Sequence, residues 1–126
     1  MLSDSARTAI EAASAVGCEV GQIVKSLVFF RGPTPLMVLC AGDRRVDAGR
    51  LGLVPAKADQ VRSITGFAIG GIPPLGHDTQ LETVIDASLR RYETVWCAAG
   101  TPHAVFEVDT EALIAVIPDA TVLDVG

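Results

Sequence analysis

A lysine lies inside an otherwise apolar stretch of the sequence. Residues 23–30 (Ile-Val-Lys-Ser-Leu-Val-Phe-Phe) are rich in β-branched and aromatic side chains and predict a strand. Because alternate side chains of a strand share a face, Lys25 lies beside Ile23 and Leu27 on an apolar face. An unpaired buried ammonium is costly, so Lys25 requires a carboxylate, backbone carbonyls or an anionic ligand as its partner. A structural ion pair, or a stem that carries the charge to water, would satisfy it as well as a ligand site would.

Two loops that combine glycine, proline and histidine follow predicted strands. They are residues 70–77 (Gly-Gly-Ile-Pro-Pro-Leu-Gly-His) and residues 100–103 (Gly-Thr-Pro-His). Glycine lets backbone N–H groups approach a ligand, and proline holds a loop in one shape. Such loops could cradle a carbonyl or an oxyanion with backbone donors, although each could also be a tight structural turn. Together with Lys25 they raise the hypothesis of a small-molecule cleft.

Several catalytic motifs are missing from the sequence, which narrows the chemistry. There is no Gly-x-Ser-x-Gly, His-Glu-x-x-His or Gly-x-Gly-x-x-Gly motif. Nor does a glycine stand directly before Lys25-Ser26, as a phosphate-binding loop requires. Cys97 alternates with Val95 and Ala99, which favours a packed core thiol over a nucleophile. A hydrolase with this sequence would therefore use water or a group of the substrate for attack, and we expect neither a metal nor a cofactor.

Length and composition indicate one globular domain over residues 1–126. Hydrophobic residues make up 49% of the chain and charged residues 20%, which excludes intrinsic disorder. No apolar run is long enough for a membrane helix, and the net charge of −5 argues against a broad basic surface for nucleic acid. The odd number of cysteines and the lack of a signal peptide predict reduced thiols and a cytoplasmic location.

Apolar patterns and turn signals predict short helices mixed with hairpins, which is typical of an α+β fold. A capping box at Thr8 and a stop at Gly17 bound the first helix, and Asp47 and Asp86 cap two short helical segments. Further helices are expected over residues 56–64 and 110–117. Strands are expected over residues 23–30 and 36–41, which form a hairpin, and over residues 67–69, 83–85, 94–99, 104–108 and 122–125.

Four blocks of the sequence, in the same order, resemble the YbaK/ProX family, whose domain is also inserted in bacterial prolyl-tRNA synthetases. The blocks are residues 11–30 (EAASAVGCEVGQIVKSLVFF), 42–47 (GDRRVD), 66–77 (GFAIGGIPPLGH) and 95–104 (VWCAAGTPHA). The resemblance implies a mixed, partly closed sheet or barrel with flanking short helices. It also implies a trans-editing deacylase that hydrolyses the ester of mischarged aminoacyl-tRNA, with Ala, Cys or Ser on the proline acceptor as typical substrates.

The resemblance assigns roles to particular residues. Lys25 is expected to hold the phosphate or sugar of the 3′-terminal adenosine, residues 70–74 to shape the aminoacyl pocket, and the histidine of residues 100–103 to contact the substrate. The catalytic set implied in this way is Lys25, Gly100, Thr101 and His103. The substrate-binding set is Ser26, Asp47, Gly70, Gly71, Ile72, Pro73, Pro74, Gly76 and His77. An aminoacyl ester is already activated, so positioning and backbone donors would suffice for attack by water or the vicinal hydroxyl.

One departure from the family motivates a second hypothesis. An N-terminal segment that members usually carry does not precede the first helix, so a sheet edge could be left for a partner chain. A non-catalytic module of the same fold that binds tRNA or a nucleotide is therefore the alternative. The expected partners are the 3′ end of aminoacyl-tRNA, prolyl-tRNA synthetase and a second copy of the chain, with no membrane.

Overall fold

A computed structural model describes residues 4–74, 81–100 and 104–126 of the chain, with side chains from residue 8 onward. The helices are α1 (Asp4–Val16), α2 (Ala48–Leu51), α3 (Ala58–Thr65) and α4 (Thr110–Val116), with a first 3₁₀ helix at Val20–Gln22 and a second at Ala87–Arg91. The strands are β1 (Val24–Arg31), β2 (Thr34–Ala41), β3 (Val54–Pro55), β4 (Glu82–Asp86), β5 (Thr94–Ala98), β6 (Val105–Asp109) and β7 (Thr121–Leu123).

Five strands form a mixed sheet in the order β3-β1-β2-β4-β7. The predicted hairpin is confirmed, since β1 and β2 are antiparallel over their whole length, from Val24 opposite Ala41 to Arg31 opposite Thr34. Strands β4 and β7 then add in parallel. All six side chains of residues 36–41 are fully buried, because β2 is central and both faces of the sheet are covered.

The remaining strands, β5 and β6, form a separate antiparallel pair. Strand β5 reaches the large sheet through one parallel bridge, between Ile23 and Trp96. Buried Ala9 and Ala13 of α1 pack with Ile23 into a small apolar cluster, against which Trp96 lies. The α+β class with a mixed sheet and short helices is therefore confirmed, whereas the sheet is open and not closed into a barrel.

Local sequence signals account for several elements as predicted. The Asp47 side chain accepts a hydrogen bond from the Arg50 N–H and begins α2, and the Asp86 side chain accepts one from the Ser88 N–H and begins the second 3₁₀ helix. Gly17 ends α1 with a φ of 79°, a left-handed conformation that glycine adopts without strain.

One predicted strand and the predicted start of one helix were wrong. Residues 67–69 form no strand, because Gly66 ends α3 and the Thr65 hydroxyl accepts the Phe67 N–H at 3.0 Å, while the Gly71 N–H donates to the Ala68 carbonyl. These local bonds occupy the backbone groups that a strand would need. The first helix begins at Asp4, one turn before the predicted capping box, since the residues ahead of Thr8 continue the helix.

Within the part of the chain that the structure describes, the longest helix has 13 residues. No described helix is long and apolar enough to cross a membrane.

Candidate active site

A cleft lies between α1, strands β1 and β5, and the segment after α3. Its volume of about 400 Å³ is in the range of small-molecule sites. The described residues that line it are Thr8, Ala9, Ala12, Ile23, Val24, Lys25, Ser26, Leu27, Ile69, Gly70, Ile72, Trp96, Ala98 and Val105. Most of this wall is apolar, so the few polar groups in it decide how a ligand is oriented.

The cleft follows a stretch of β1 that, among the described strands, has no ladder partner on one side. Strand β3 pairs only with Phe29 and Phe30, and the Val28 carbonyl accepts the Ala56 N–H at 3.1 Å. Backbone groups of a strand alternate between its two edges, so Ser26 directs its N–H and carbonyl to the same side as Val28. Ser26, which lines the cleft, thus has two backbone polar groups at this edge. Its hydroxyl oxygen is buried without a hydrogen-bond partner among the described residues.

Lys25 is half-buried in the wall of the cleft, and its ammonium has one short contact. Its Nζ donates to the Arg44 carbonyl oxygen at 2.7 Å. Of the partners expected from the sequence, the structure therefore provides a backbone carbonyl. Lys25 forms no ion pair with any described carboxylate. Its positive charge is held in place by a neutral group and remains able to attract an anion.

The residue opposite Lys25 on β2 leaves that charge uncompensated. Cys40 pairs with Lys25 in the antiparallel register, and its Sγ shares the Arg44 carbonyl at 3.5 Å. Burial raises the pKa of the Cys40 thiol to about 12, although the nearby Lys25 charge opposes this effect. The thiol is therefore neutral at physiological pH.

The first predicted loop contributes to the cleft through part of its length. Gly70, with a φ of 89°, and Ile72, which is 2% exposed, line the wall. Gly71, Pro73 and Pro74 belong to the same loop but do not line the cleft. The remaining predicted residues of this loop, Gly76 and His77, lie outside the described residues.

The second predicted loop begins where β5 leaves the cleft. Ala98 lines the wall, and Gly100 follows it with a φ of 100°, a conformation that favours glycine. Thr101 and His103 lie outside the described residues. Asp47, by contrast, does not line the cleft, since its carboxylate caps α2 and lies 3.8 Å from the Arg50 side chain.

Comparisons with known proteins identify relatives of the chain. The model of the aminoacyl-tRNA editing domain matches residues 3–116. The chain belongs to this family. It is 30% identical over 116 residues to the protein YwhH of Bacillus subtilis, covering 86% of the chain and 74% of that protein. It is 24% identical to EbsC of Enterococcus faecalis, a candidate Cys-tRNA(Pro)/Cys-tRNA(Cys) deacylase, covering 90% of the chain and 74% of that protein.

A solved structure is similar at the level of both sequence and fold. A candidate trans-editing enzyme for prolyl-tRNA synthetase superimposes with a TM-score of 0.86 and 48% identity, over 98% of this chain and 82% of the other. The resemblance predicted from the four sequence blocks is thereby confirmed. Membership in the editing family identifies the chain as an aminoacyl-tRNA deacylase, a hydrolase that acts on an ester bond.

Sequence reasoning missed part of the wall of this cleft. Trp96 and Ala98 lie on the face of β5 opposite the buried Val95 and Cys97, and both line the cleft. The alternation along β5 contains this signal, but only the bridge between Ile23 and Trp96 shows which element the face meets. The side chains that α1 contributes depend on tertiary packing and have no local signal.

Two of the three cysteines of the deacylase, Cys40 and Cys97, should not take part in catalysis. Burial raises the pKa of both Cys40 and Cys97 to about 12, and both are fully buried. A raised thiol pKa leaves about one thiolate in 10⁴ at pH 8, and the thiolate is the reactive form. Iodoacetamide at pH 8 should therefore leave Cys40 and Cys97 unmodified in peptide mass spectra, and activity should survive treatment. Rapid modification of Cys97 together with loss of activity would contradict this assignment.

Proposed function

We propose that the cleft removes a small amino acid (Ala, Cys or Ser) from the 3′-terminal adenosine of mischarged tRNA, with tRNA-Pro as the acceptor. Support comes from EbsC, whose name specifies Cys-tRNA(Pro) and Cys-tRNA(Cys), and from the solved structure of a candidate trans-editing enzyme for prolyl-tRNA synthetase. The cleft itself must then hold an anionic nucleotide and a small side chain.

The observation that carries this proposal is the state of Lys25. Its ammonium lies in the wall of a cleft of about 400 Å³, bound to a carbonyl and without a described counter-ion. A lysine in this state attracts a phosphate oxygen, because a charged hydrogen bond in a partly desolvated cleft is stronger than one in water. In the proposed complex Lys25 binds the phosphate of the terminal adenosine and fixes the position of its ester.

Polar groups next to Lys25 suit the reacting end of the substrate. Ser26 and Gly70 both line the cleft, so their backbone N–H groups are candidate donors, and the Ser26 hydroxyl is buried without a hydrogen-bond partner among the described residues. In the proposed reaction these donors orient the ester carbonyl, with Gly100, Thr101 and His103 assigned to the same role through the family resemblance. A preorganised donor gains strength as negative charge develops on that oxygen.

The proposed chemical step is simple hydrolysis. A water oxygen attacks the ester carbonyl carbon, the bond from that carbon to the ribose oxygen breaks, and the proton of water passes to the departing ribose oxygen. Free amino acid and deacylated tRNA are the products. The vicinal ribose hydroxyl can orient the water, whereas attack by that hydroxyl alone would only move the acyl group along the ribose.

The composition of the wall supports selection by size. Ala9, Ala12 and Ala98 keep the cleft open, while Ile72 and Trp96 limit its extent. Such a wall excludes a larger side chain by steric overlap. Two side chains that differ by one methylene, however, differ by only about 1–3 kcal/mol in transition-state binding. We therefore expect overlapping activity towards Ala, Cys and Ser.

A deacylation panel tests the proposed substrates. The protein is mixed with tRNA-Pro that carries Ala, Cys, Ser or the cognate Pro, and release of radiolabelled amino acid is followed with substrate in excess. We expect turnover with at least one of the three small residues and slower release of Pro. The contrary result is hydrolysis of every ester at the rate measured in buffer without protein, while tRNA changes the fluorescence of Trp96, the single tryptophan of the chain. That result would favour the non-catalytic binding module.

The protein partners belong to the same proposal. Prolyl-tRNA synthetase is supported as a partner by the solved trans-editing relative. A homodimer is supported by β6, which among the described strands pairs only with β5 and carries Phe106 at 39% exposure. Light scattering of the purified protein at several concentrations, with and without the synthetase, measures both associations.

A further inference from the structure

The carbonyl that holds Lys25 belongs to a short loop, residues 42–45, that follows β2. Arg44 accepts the Lys25 ammonium at 2.7 Å through its carbonyl, while its own N–H donates to the Ala41 carbonyl at 2.9 Å. The direction of the ammonium therefore depends on how firmly this loop is held.

Arg91, from the second 3₁₀ helix, binds the loop by an ion pair with the carboxylate of Asp43. Its two terminal nitrogens donate to the two Asp43 oxygens at 2.8 and 2.7 Å, and its Nε donates to the Ser88 carbonyl at 2.7 Å. All three nitrogens of the guanidinium are thus used, which fixes its plane. The contact lowers the pKa of Asp43 and raises that of Arg91, since each charge stabilises the other.

The same ion pair lies beside Gly21, in the segment that leads into β1. A Cβ added at Gly21 would lie 2.5 Å from the Tyr92 hydroxyl, 2.9 Å from an Arg91 nitrogen and 3.0 Å from an Asp43 oxygen. A side chain at position 21 would therefore displace the ends of these three side chains. The ion pair connects the second 3₁₀ helix, the loop after β2 and the chain just ahead of Lys25.

A neighbouring ion pair, between Arg90 and Glu111, serves as a comparison because it does not contact the 42–45 loop. Arg90 is adjacent on the same 3₁₀ helix and binds Glu111 through two nitrogens, at 3.1 and 3.3 Å. Both pairs are exposed, with side-chain exposures of 42% and 37% for Arg91 and Asp43 and of 49% and 64% for Arg90 and Glu111. Exposed pairs add little to stability, and of these two pairs it is the Arg91 pair that reaches the loop that contacts Lys25. The same loop is also held by the ion pair of Arg44 with Asp124 at 2.7 Å.

We propose that Asp43 and Arg91 are positioning residues that fix the Arg44 carbonyl and so aim the Lys25 ammonium into the cleft. The inference rests on the proposed role of Lys25 in binding the substrate phosphate. Neither residue touches the substrate; both act through Lys25. Loss of the pair should weaken substrate binding and leave the chemical step almost unchanged.

A double-mutant cycle with Lys25→Ala tests this coupling. In the wild-type background, Arg91→Ala and Asp43→Asn should each raise KM by about three- to tenfold with nearly constant kcat. In the Lys25→Ala background the same changes should have almost no effect, because the residue through which they act is gone. Arg90→Ala is the matched control and should leave KM unchanged. Additive effects in the double variants, or an equal effect of Arg90→Ala, would overturn the inference.

Amine labelling gives a readout that needs no tRNA. The chain has only two lysines, Lys25 and Lys57, so the labelling rate of Lys57 serves as an internal reference in peptide mass spectra. Arg91→Ala should raise the labelling rate of Lys25 relative to that of Lys57 by about three- to tenfold, since the ammonium loses its fixed acceptor. An unchanged ratio would refute the positioning role. If the wild-type protein released no amino acid, the proposed function would fail while this measurement would still decide the inference.

Discussion

Replacement of Lys25 by alanine is expected to lower kcat/KM for deacylation by about 100-fold, which corresponds to about 3 kcal/mol. The reason is the state of its ammonium, which is held at 2.7 Å by the Arg44 carbonyl and faces a cleft without a described counter-ion. Loss of a charged hydrogen bond to a phosphate has an effect of this size when the site excludes part of the solvent. Most of the loss should appear in KM, since the phosphate contact exists before the reaction begins.

The control for Lys25 is the other lysine of the chain. Lys57 is exposed ahead of α3, and Lys57→Ala should leave kcat/KM unchanged. Lys25→Arg should retain part of the activity, because the charge is kept while the shape of the contact with the Arg44 carbonyl changes. Thermal unfolding of each variant establishes that the protein is folded. Equal activity of Lys25→Ala and Lys57→Ala would remove Lys25 from the site.

Replacement of Asp86 by alanine is expected to lower the free energy of unfolding by about 2–4 kcal/mol. Asp86 is 1% exposed at the end of β4, and its two oxygens accept the backbone N–H groups of Ala41 at 3.1 Å and Ser88 at 3.0 Å. Alanine leaves the buried Ala41 N–H and the partly buried Ser88 N–H without this acceptor. Urea unfolding measures the loss.

Two variants calibrate the effect at Asp86. Asp109→Ala removes an exposed cap at the start of α4, where one oxygen accepts the Ala112 N–H at 2.9 Å, and should cost about 0.5–2 kcal/mol. Asp86→Asn keeps one acceptor and should fall between wild type and Asp86→Ala. A loss at Asp86→Ala no larger than that at Asp109→Ala would show that the buried hydrogen bonds contribute less than their geometry indicates.

Local signals made some of the fold predictable. The hairpin of β1 and β2 follows from two apolar runs around a glycine-proline turn, and Asp47 and Asp86 begin short helical segments as their side chains suggest. A strand was predicted over residues 67–69 because three consecutive apolar residues resemble one. The hydroxyl of Thr65 takes the Phe67 N–H instead, and a sequence pattern cannot show that competition.

One residue of the candidate site, Lys25, was predictable from the sequence because a charged group on an apolar strand needs a partner. An ammonium on an apolar strand had to be paired, so Lys25 was found, but the choice of the Arg44 carbonyl depends on a turn 19 residues away. Asp43 and Arg91 are separated by 48 residues, and nothing local links them. Trp96 enters the wall because β5 crosses beside Ile23, which is likewise a tertiary contact.

The most direct test is a time course of amino-acid release from Ala-tRNA-Pro in molar excess over the protein, run in parallel with Lys25→Ala and Lys57→Ala. We predict many equivalents of alanine released per wild-type molecule, the same rate for Lys57→Ala, and a rate about 100-fold lower for Lys25→Ala at limiting substrate. Release by the Lys25→Ala protein at the wild-type rate would contradict the claim that the ester is hydrolysed in the cleft that Lys25 lines.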